Sequence, residues 1–158
     1  ISVDYGTMNP FSAGLWCVGQ GKAVRVREYY YNGREKGKSL TDEEYYRAIE
    51  NLAGEFPVEQ VIVDPSAASF IATIRKHGRF SVRKAKNEVL PGISLVSTFL
   101  QAGVLQFTSA CKDTLREFSL YSWEEGGRDA PKKENDHAMD DIRYFCSTVL
   151  SRKLQVTN

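Results

Sequence analysis

Apolar and polar residues alternate along this chain at a strand-like period first, and at mixed strand and helix periods afterwards. Residues 1–4, about 13–19 and about 23–31 read as three strands, the second AGLWCVG and the third AVRVREYYY. The break at Gln20-Gly21-Lys22 is a hairpin signal, and the three strands are expected to form an antiparallel meander. The polar NGREKGKSL segment is expected to be a loop. Thr41 and Glu44 then have capping-box spacing, opening a helix that runs to about Gly54 with Tyr45, Ala48, Ile49 and Leu52 on one face.

The run VIVDPS is short, apolar and stopped by Asp-Pro, which predicts a buried central strand carrying Asp64 to its C-terminal end. Beyond it the pattern predicts a helix over about 66–77, a strand in FSVRKAK leading into a basic loop, and a helix in PGISLVSTFLQAG ended by Gly103. A short VLQF run, a helix over about 109–121, a polar loop EEGGRDAPKKEN and a last helix over about 136–150 follow. Strands in a meander, then strands alternating with helices, describe an α/β domain with a mixed sheet.

Length and composition agree with one domain: 158 residues, 42% hydrophobic and 11% aromatic, suffice for a real core. A formal net charge of +1 removes bulk electrostatics as a source of nucleic-acid or membrane attraction, so any DNA contact must come from local patches. Cys17, Cys111 and Cys146 have neither metal-ligand nor redox spacing and read as buried free thiols in a reducing cytoplasm. No signal peptide, lipidation motif or long apolar span is present in the sequence. The start at Ile1, without Met and within a strand, suggests a piece of a longer polypeptide.

Three acidic positions stand where apolar elements end. Asp4 closes the first strand ahead of Gly6 and Thr7, Asp64 closes the VIV strand, and an acidic group opens the last helix. Ligand sites in α/β sheets form beyond the carboxyl ends of strands, so Asp4 and Asp64 on neighbouring strands would face one spot. Two carboxylates there repel each other, and a pair of divalent ions about 4 Å apart resolves the repulsion. In the last helix Ala138, Ile142, Phe145, Cys146 and Val149 form the buried stripe, with His137, Asp140, Asp141 and Tyr144 together at one side. His137 and Asp140, three apart, can address one metal. Asp136 as N-cap and the helix dipole account for acid in a first turn, but not for Asp4 and Asp64 at the ends of other elements.

The segments SVDYGT, VIVDPSA, PGI and NDHAMDDIRY, in this order, resemble the nuclease domain of the large terminase subunit of tailed bacteriophages. The resemblance runs from Ile1 to about Leu150, and its last motif is the most specific. It implies a ribonuclease H-like, resolvase-like fold: a mixed sheet with a three-strand antiparallel meander plus parallel strands, flanked by helices. It also implies a metal-dependent endonuclease that cuts double-stranded DNA with Mg2+ or Mn2+ while the concatemeric viral genome is packaged. The metal-binding, catalytic residues it implies are Asp4, Asp64 and Asp140, with His137 as a further ligand or supporting group and Asp4 shared between two metals. Asp-Asp at positions 140 and 141, where Asp-Ala is commoner in that family, leaves Asp141 and Asp136 as further candidates. The implied partners are double-stranded DNA, an ATPase motor domain in the same full-length chain, the small terminase subunit and the procapsid portal, with no membrane. The implied place is the host cytoplasm and, transiently, the portal. No G-x-x-x-x-G-K-[ST] loop occurs, so residues 1–158 read as a single nuclease domain without the motor.

Arg75, Lys76, Arg79, Arg83, Lys84 and Lys86 cluster between the helix after Asp64 and the next loop, as either a solvated helix end or a phosphate track. Lys132 and Lys133 lie in the loop before the last helix, close to the acidic cluster, and are candidates for DNA contact or regulation. The tyrosine run 29–31 is read as sheet and core, and His77 as a helix C-terminal residue. Three other functions share parts of this pattern. An Asp-x-Gly-Thr turn also opens actin-like ATPases and sugar kinases, but those close two domains around a nucleotide. A Holliday-junction resolvase shares the fold and the metal chemistry. A non-catalytic ribonuclease H-like binding module has no reason to keep the whole acidic set.

Overall fold

The computed structural model describes residues 1–126 and 129–155. Its centre is a six-stranded mixed sheet of β1 (Ser2–Asp4), β2 (Phe11–Gly19), β3 (Lys22–Tyr31), β4 (Val61–Val63), β5 (Val82–Lys84) and β6 (Leu105–Phe107), in the order β5-β4-β1-β2-β3-β6. β1, β2 and β3 form the expected antiparallel meander. β4 lies parallel to β1, β5 parallel to β4, and β6 parallel to β3 at the other edge. Gln20 and Gly21, both at positive φ, make the two-residue turn between β2 and β3, whose backbone twist matches that of the flanking strands.

One face of the sheet carries α2 (Asp42–Ala53) and α3 (Ala68–His77), which bury Tyr45, Ile49, Phe70 and Ile74 against Val3, Phe11 and Val63. Phe11 and Tyr45 stack at 4.1 Å between centroids. The other face carries α4 (Val89–Gln101), α5 (Lys112–Leu120) and α6 (His137–Phe145), with Ile62, Trp16 and Ile142 in its core and Phe145 stacked on Trp16 at 4.1 Å. α6 continues through a π-helical turn (Cys146–Leu150) into α7 (Ser151–Gln155), so the last helix outruns its expected end. Among the described residues no helix is long and apolar enough to cross a membrane.

The capping box of Thr41 and Glu44 forms in both directions. Other expectations need correction. The polar segment after β3 is not a plain loop: Asn32 accepts from Glu35 N and Gly37 closes the turn in a left-handed conformation, giving the one-turn helix α1 (Gly33–Lys36). α3 starts at Ala68 rather than 66, because Asp64 Oδ1 accepts from Ser66 N and holds the chain in an Asx turn. Cys17 is exposed, since the tip of the β2–β3 hairpin runs past the covering helices, whereas Cys111 and Cys146 are buried. The segment before α6 folds back on itself, with Lys132 N donating to Ser122 O and Glu124 N to Ala130 O. Gly127 and Arg128 of the EEGGRDAPKKEN segment, together with residues 156–158, lie outside the described residues.

Candidate metal centre at the carboxyl ends of β1 and β4

The pairing of β1 with β4 sets Val3 opposite Val63, so the next residues, Asp4 and Asp64, stand side by side where the two parallel strands end. Alternation puts both carboxylates on the face of Ser2 and Ile62, which is the face α6 covers. α6 meets them there. His137 Nδ1 lies 3.0 Å from Asp4 Oδ2, and the Tyr144 hydroxyl donates to Asp64 Oδ2 at 2.9 Å. Asp140, one turn beyond His137, accepts from Arg143 Nη2 at 3.1 Å, and Asp136 Oδ1 is 3.6 Å from His137 Nε2. Asp4, Asp136, His137 and Asp140 line one groove of about 500 Å³, which Arg34 and Lys133 also border. A second cavity, of about 580 Å³, is bordered by β3 and α2 and lined by Arg27, Glu28, Glu44 and Arg47.

Burial pushes the Asp4 carboxyl up to about 7; the His137 contact works against that shift and the nearby Asp140 and Asp141 charges add to it. Burial also raises Asp140, with Arg143 opposing and Asp136 adding to the rise. Asp64 behaves differently: burial alone would raise it, and the hydrogen bonds from Ser66, Tyr144 and Asn87 hold it below the usual value. For His137 burial acts against the proton, but the bond and charge of Asp4 outweigh it and the pKa is raised. Asp4 and His137 therefore compete for protons as a coupled pair.

Asp141 does not join this group. Its side chain points the other way, into the sheet, where Arg25 of β3 and the hydroxyls of Ser2 and Ser12 hold it fully buried. A helical wheel sets Asp141 beside His137, but α6 is buried on almost every side, and the arginine that claims Asp141 lies on a distant strand. Asp136 precedes α6 without capping it. The cap comes from Glu117 of α5, whose Oε1 accepts from Ala138 N at 2.8 Å and Met139 N at 3.2 Å. Pattern reading missed Glu117 and Arg25, because both act across long sequence separations.

The basic candidates separate. Lys133 borders the groove, and Lys132 pairs with Glu125 at 3.6 Å. Arg83 pairs in the sheet with Ile62 on the α6 side, whereas Lys84 pairs with Val63 on the α2–α3 side. The backbone of Lys86 donates to Thr148 Oγ1 at 2.9 Å, beside the π-helical turn. Arg79 donates to Gly54 O at the end of α2, and His77 stacks on Tyr46 with Nε2 2.8 Å from Glu43. Gly6 has its own reason for lacking a side chain: a Cβ there would come within 2.5 Å of the carbonyl oxygens of Asn9 and Pro10.

The donors fit a hard divalent cation in kind: carboxylate oxygens and an imidazole from three elements, with a buried Asp4 whose ionisation a cation would favour. They are not preassembled as a cage; among the described residues no three His, Cys, Asp or Glu side chains are close enough to hold one ion as they stand.

No family model matches the sequence, and no curated protein matches it. Solved structures do. The large terminase of a thermophilic bacteriophage, in complex with ADP, is 46% identical over 94% of this chain and 39% of its own, with a TM-score of 0.90. Another crystal form of the same protein gives 46% identity, a TM-score of 0.90 and 38% of its length. The large-terminase nuclease domain of bacteriophage SPP1, solved with bound Mn, aligns over 96% of this chain and 84% of its own at a TM-score of 0.69. The chain belongs to the phage large terminases, and its fold is that of a terminase nuclease domain. At 14% identity the SPP1 domain speaks for the shared fold alone, and the sequence likeness rests on the thermophilic relative. The chain spans about two fifths of the length of that relative.

Proposed function

We propose that this domain is a divalent-metal-dependent endonuclease that cuts double-stranded DNA by hydrolysing phosphodiester bonds, trimming concatemeric viral DNA as it is packaged. The observation that carries this reading is the placement of Asp4 and Asp64 side by side at the ends of parallel strands, with His137 and Asp140 of α6 above them. The Mn bound in the SPP1 nuclease domain supports a divalent ion, Mg2+ or Mn2+, for this domain.

A pair of such ions would supply an activated water for in-line attack on phosphorus and a counter-charge for the leaving 3′ oxygen. Asp4, Asp64 and Asp140 would hold the two ions, with Asp4 shared; Asp136 lines the same groove as Asp4 and Asp140, and Asp64 stands beside Asp4 at the end of β4, outside the residues that line the groove. His137 orients Asp4, Tyr144 orients Asp64 and Arg143 orients Asp140. Lys132, Lys133, Arg83, Lys84 and Lys86 remain candidates for DNA contact, with Lys133 the best placed of them. The partners follow the family: duplex DNA, an ATPase motor in the full-length chain, the small terminase subunit and the portal, in the host cytoplasm and transiently at the procapsid.

Cleavage of supercoiled plasmid, in EDTA and then with Mg2+ or Mn2+, tests the reading. Metal-dependent nicking and linearisation by the wild type is expected, with both lost in Asp4→Ala and Asp64→Ala proteins that still melt cooperatively. A folded wild type inert with either ion, or acid variants that still cut, would overturn it.

A further inference from the structure

Two cations border the acidic groove without a carboxylate partner. Among the described residues neither Arg34 nor Lys133 forms an ion pair, although Asp4, Asp136 and Asp140 line the same groove. Arg34 is exposed and uses one donor, from Nη2 to Asn9 Oδ1 at 3.1 Å. Most of its fork is left without a protein partner at the groove's border.

Arg34 is not on a loose loop. α1 is fastened to the turn that follows Asp4: Arg34 N donates to Met8 O at 2.9 Å, and a Cβ on Gly33 would come within 2.3 Å of Thr7 O. Ser39 Oγ adds a contact to Met8 Sδ at 3.0 Å. The groove also continues past His137 and Lys133 into an open cleft of about 650 Å³ bordered by Lys36 and Arg116. Acids therefore line the floor of the first groove and the unpaired Arg34 and Lys133 its rim, while in the cleft beyond it Lys36 and an Arg116 already paired to Asp113 alternate with Glu35, Asp113 and Glu134.

A metal-bound phosphodiester needs both. Carboxylates on the floor suit the cations at the scissile group, and an arginine fork on the rim suits the phosphate oxygens next to it. We propose that Arg34, with Lys133 across the groove, binds the backbone phosphates of the DNA strand beside the cut. The inference rests on the nuclease reading and deepens it. It assigns strand binding to the α1 side of the groove, where the basic residues of β5 do not reach.

The test is steady-state cleavage of a linear duplex by the wild type and by Arg34→Ala, Arg34→Lys and Arg47→Ala, at several salt concentrations, with Mg2+-induced thermal shifts recorded alongside. Arg34→Ala is expected to raise KM about tenfold, to lower the log–log salt slope of KM by about one, and to leave the Mg2+ shift unchanged. Arg34→Lys should recover the salt slope and part of the affinity, and Arg47→Ala, on the opposite face, should match the wild type. An active wild type with an unchanged Arg34→Ala KM overturns the inference and leaves the nuclease reading standing. Loss of the Mg2+ shift in Arg34→Ala also overturns it, because Arg34 would then act on the acids and not on DNA. A wild type that neither cuts nor binds the duplex overturns both.

Discussion

The Asp141 carboxylate and the Arg25 guanidinium form an ion pair with neither side chain exposed, Arg25 Nη2 donating to Asp141 Oδ2 at 2.9 Å. Each oxygen of Asp141 has a second donor as well, Ser2 at 2.7 Å for Oδ1 and Ser12 at 2.5 Å for Oδ2. Space for the guanidinium comes from Gly14 of β2, where a Cβ would overlap Arg25. The pair joins α6 to three strands of the sheet at once and so fixes the height at which Asp140 and His137 stand over Asp4.

Removing one partner strands a charge in a dry site, and about 3–5 kcal/mol of stability should be lost in Asp141→Asn or Arg25→Met, measured by urea denaturation. The double replacement Arg25→Met/Asp141→Leu should regain most of that loss. The folded fraction of Asp141→Asn should still be stabilised by Mg2+, because the Asp141 oxygens are already saturated. Asp140→Asn should behave in the opposite way, keeping most of its stability and losing the Mg2+ response. If Asp141→Asn alone loses the response, the assignment of acids to the centre is wrong.

Proton affinity sets a pH dependence for metal binding. The Asp4 carboxyl, pushed up to about 7 by burial, holds a proton in the folded protein that the unfolded chain would already have released near pH 4. Its contribution to stability is thus lost as pH rises through 7, and a bound cation offsets that loss. His137, also raised, must release its proton before the imidazole can act as a donor, so both groups act in the same direction. The thermal shift induced by Mg2+ should be small at pH 5.5 and grow toward pH 8. Asp4→Asn should flatten that dependence; a shift that is largest at pH 5.5 would contradict it.

Tyr144 was legible only in part. Its helical spacing sets it beside His137 and Asp140, but its bond to Asp64 appears only once α6 is laid across β4. Asp4 and Asp64 were readable because each follows an apolar run at the end of a buried strand, and that position survives folding unchanged. α1 was hidden because Asn32 and Gly37 look like loop residues in any polar segment, and here they cap a turn. Arg25 and Glu117 were hidden because a buried charge shows its role only through a partner, and those partners lie 116 and 21 positions away. Local pattern reports which acids end up at the strand ends, and tertiary pairing decides which of the remaining acids are structural.

Tyr144→Phe should therefore leave the fold intact, since the ring stays packed in the α6 core, while Asp64 loses one of its hydrogen bonds and its orientation. Supporting contacts of this kind commonly account for about tenfold in metal affinity. The Mg2+ concentration for half-maximal cleavage should rise by about that factor, with melting temperature nearly unchanged. An unaltered metal titration would mean that Asp64 is held by Ser66 and Asn87 alone.

Glu117 connects the neighbouring helix to the same centre. It is fully buried, and its two oxygens are divided between the backbone of α6 and the Tyr30 hydroxyl, which donates to Oε2 at 2.7 Å. Because Glu117 satisfies the first free N–H groups of α6, Asp136 is released from capping and stays in the groove. Glu117→Ala should cost about 1–3 kcal/mol by leaving those donors unpaired in a closed site. It should also loosen His137, one residue before the capped amides, and so lower kcat and raise the metal requirement while the KM for DNA stays put. Glu117→Gln keeps a carbonyl oxygen for Ala138 N and Met139 N and should recover most of both losses. A drop in stability with kcat fully retained would make Glu117 a packing residue only, with no part in setting the height of His137 over Asp4.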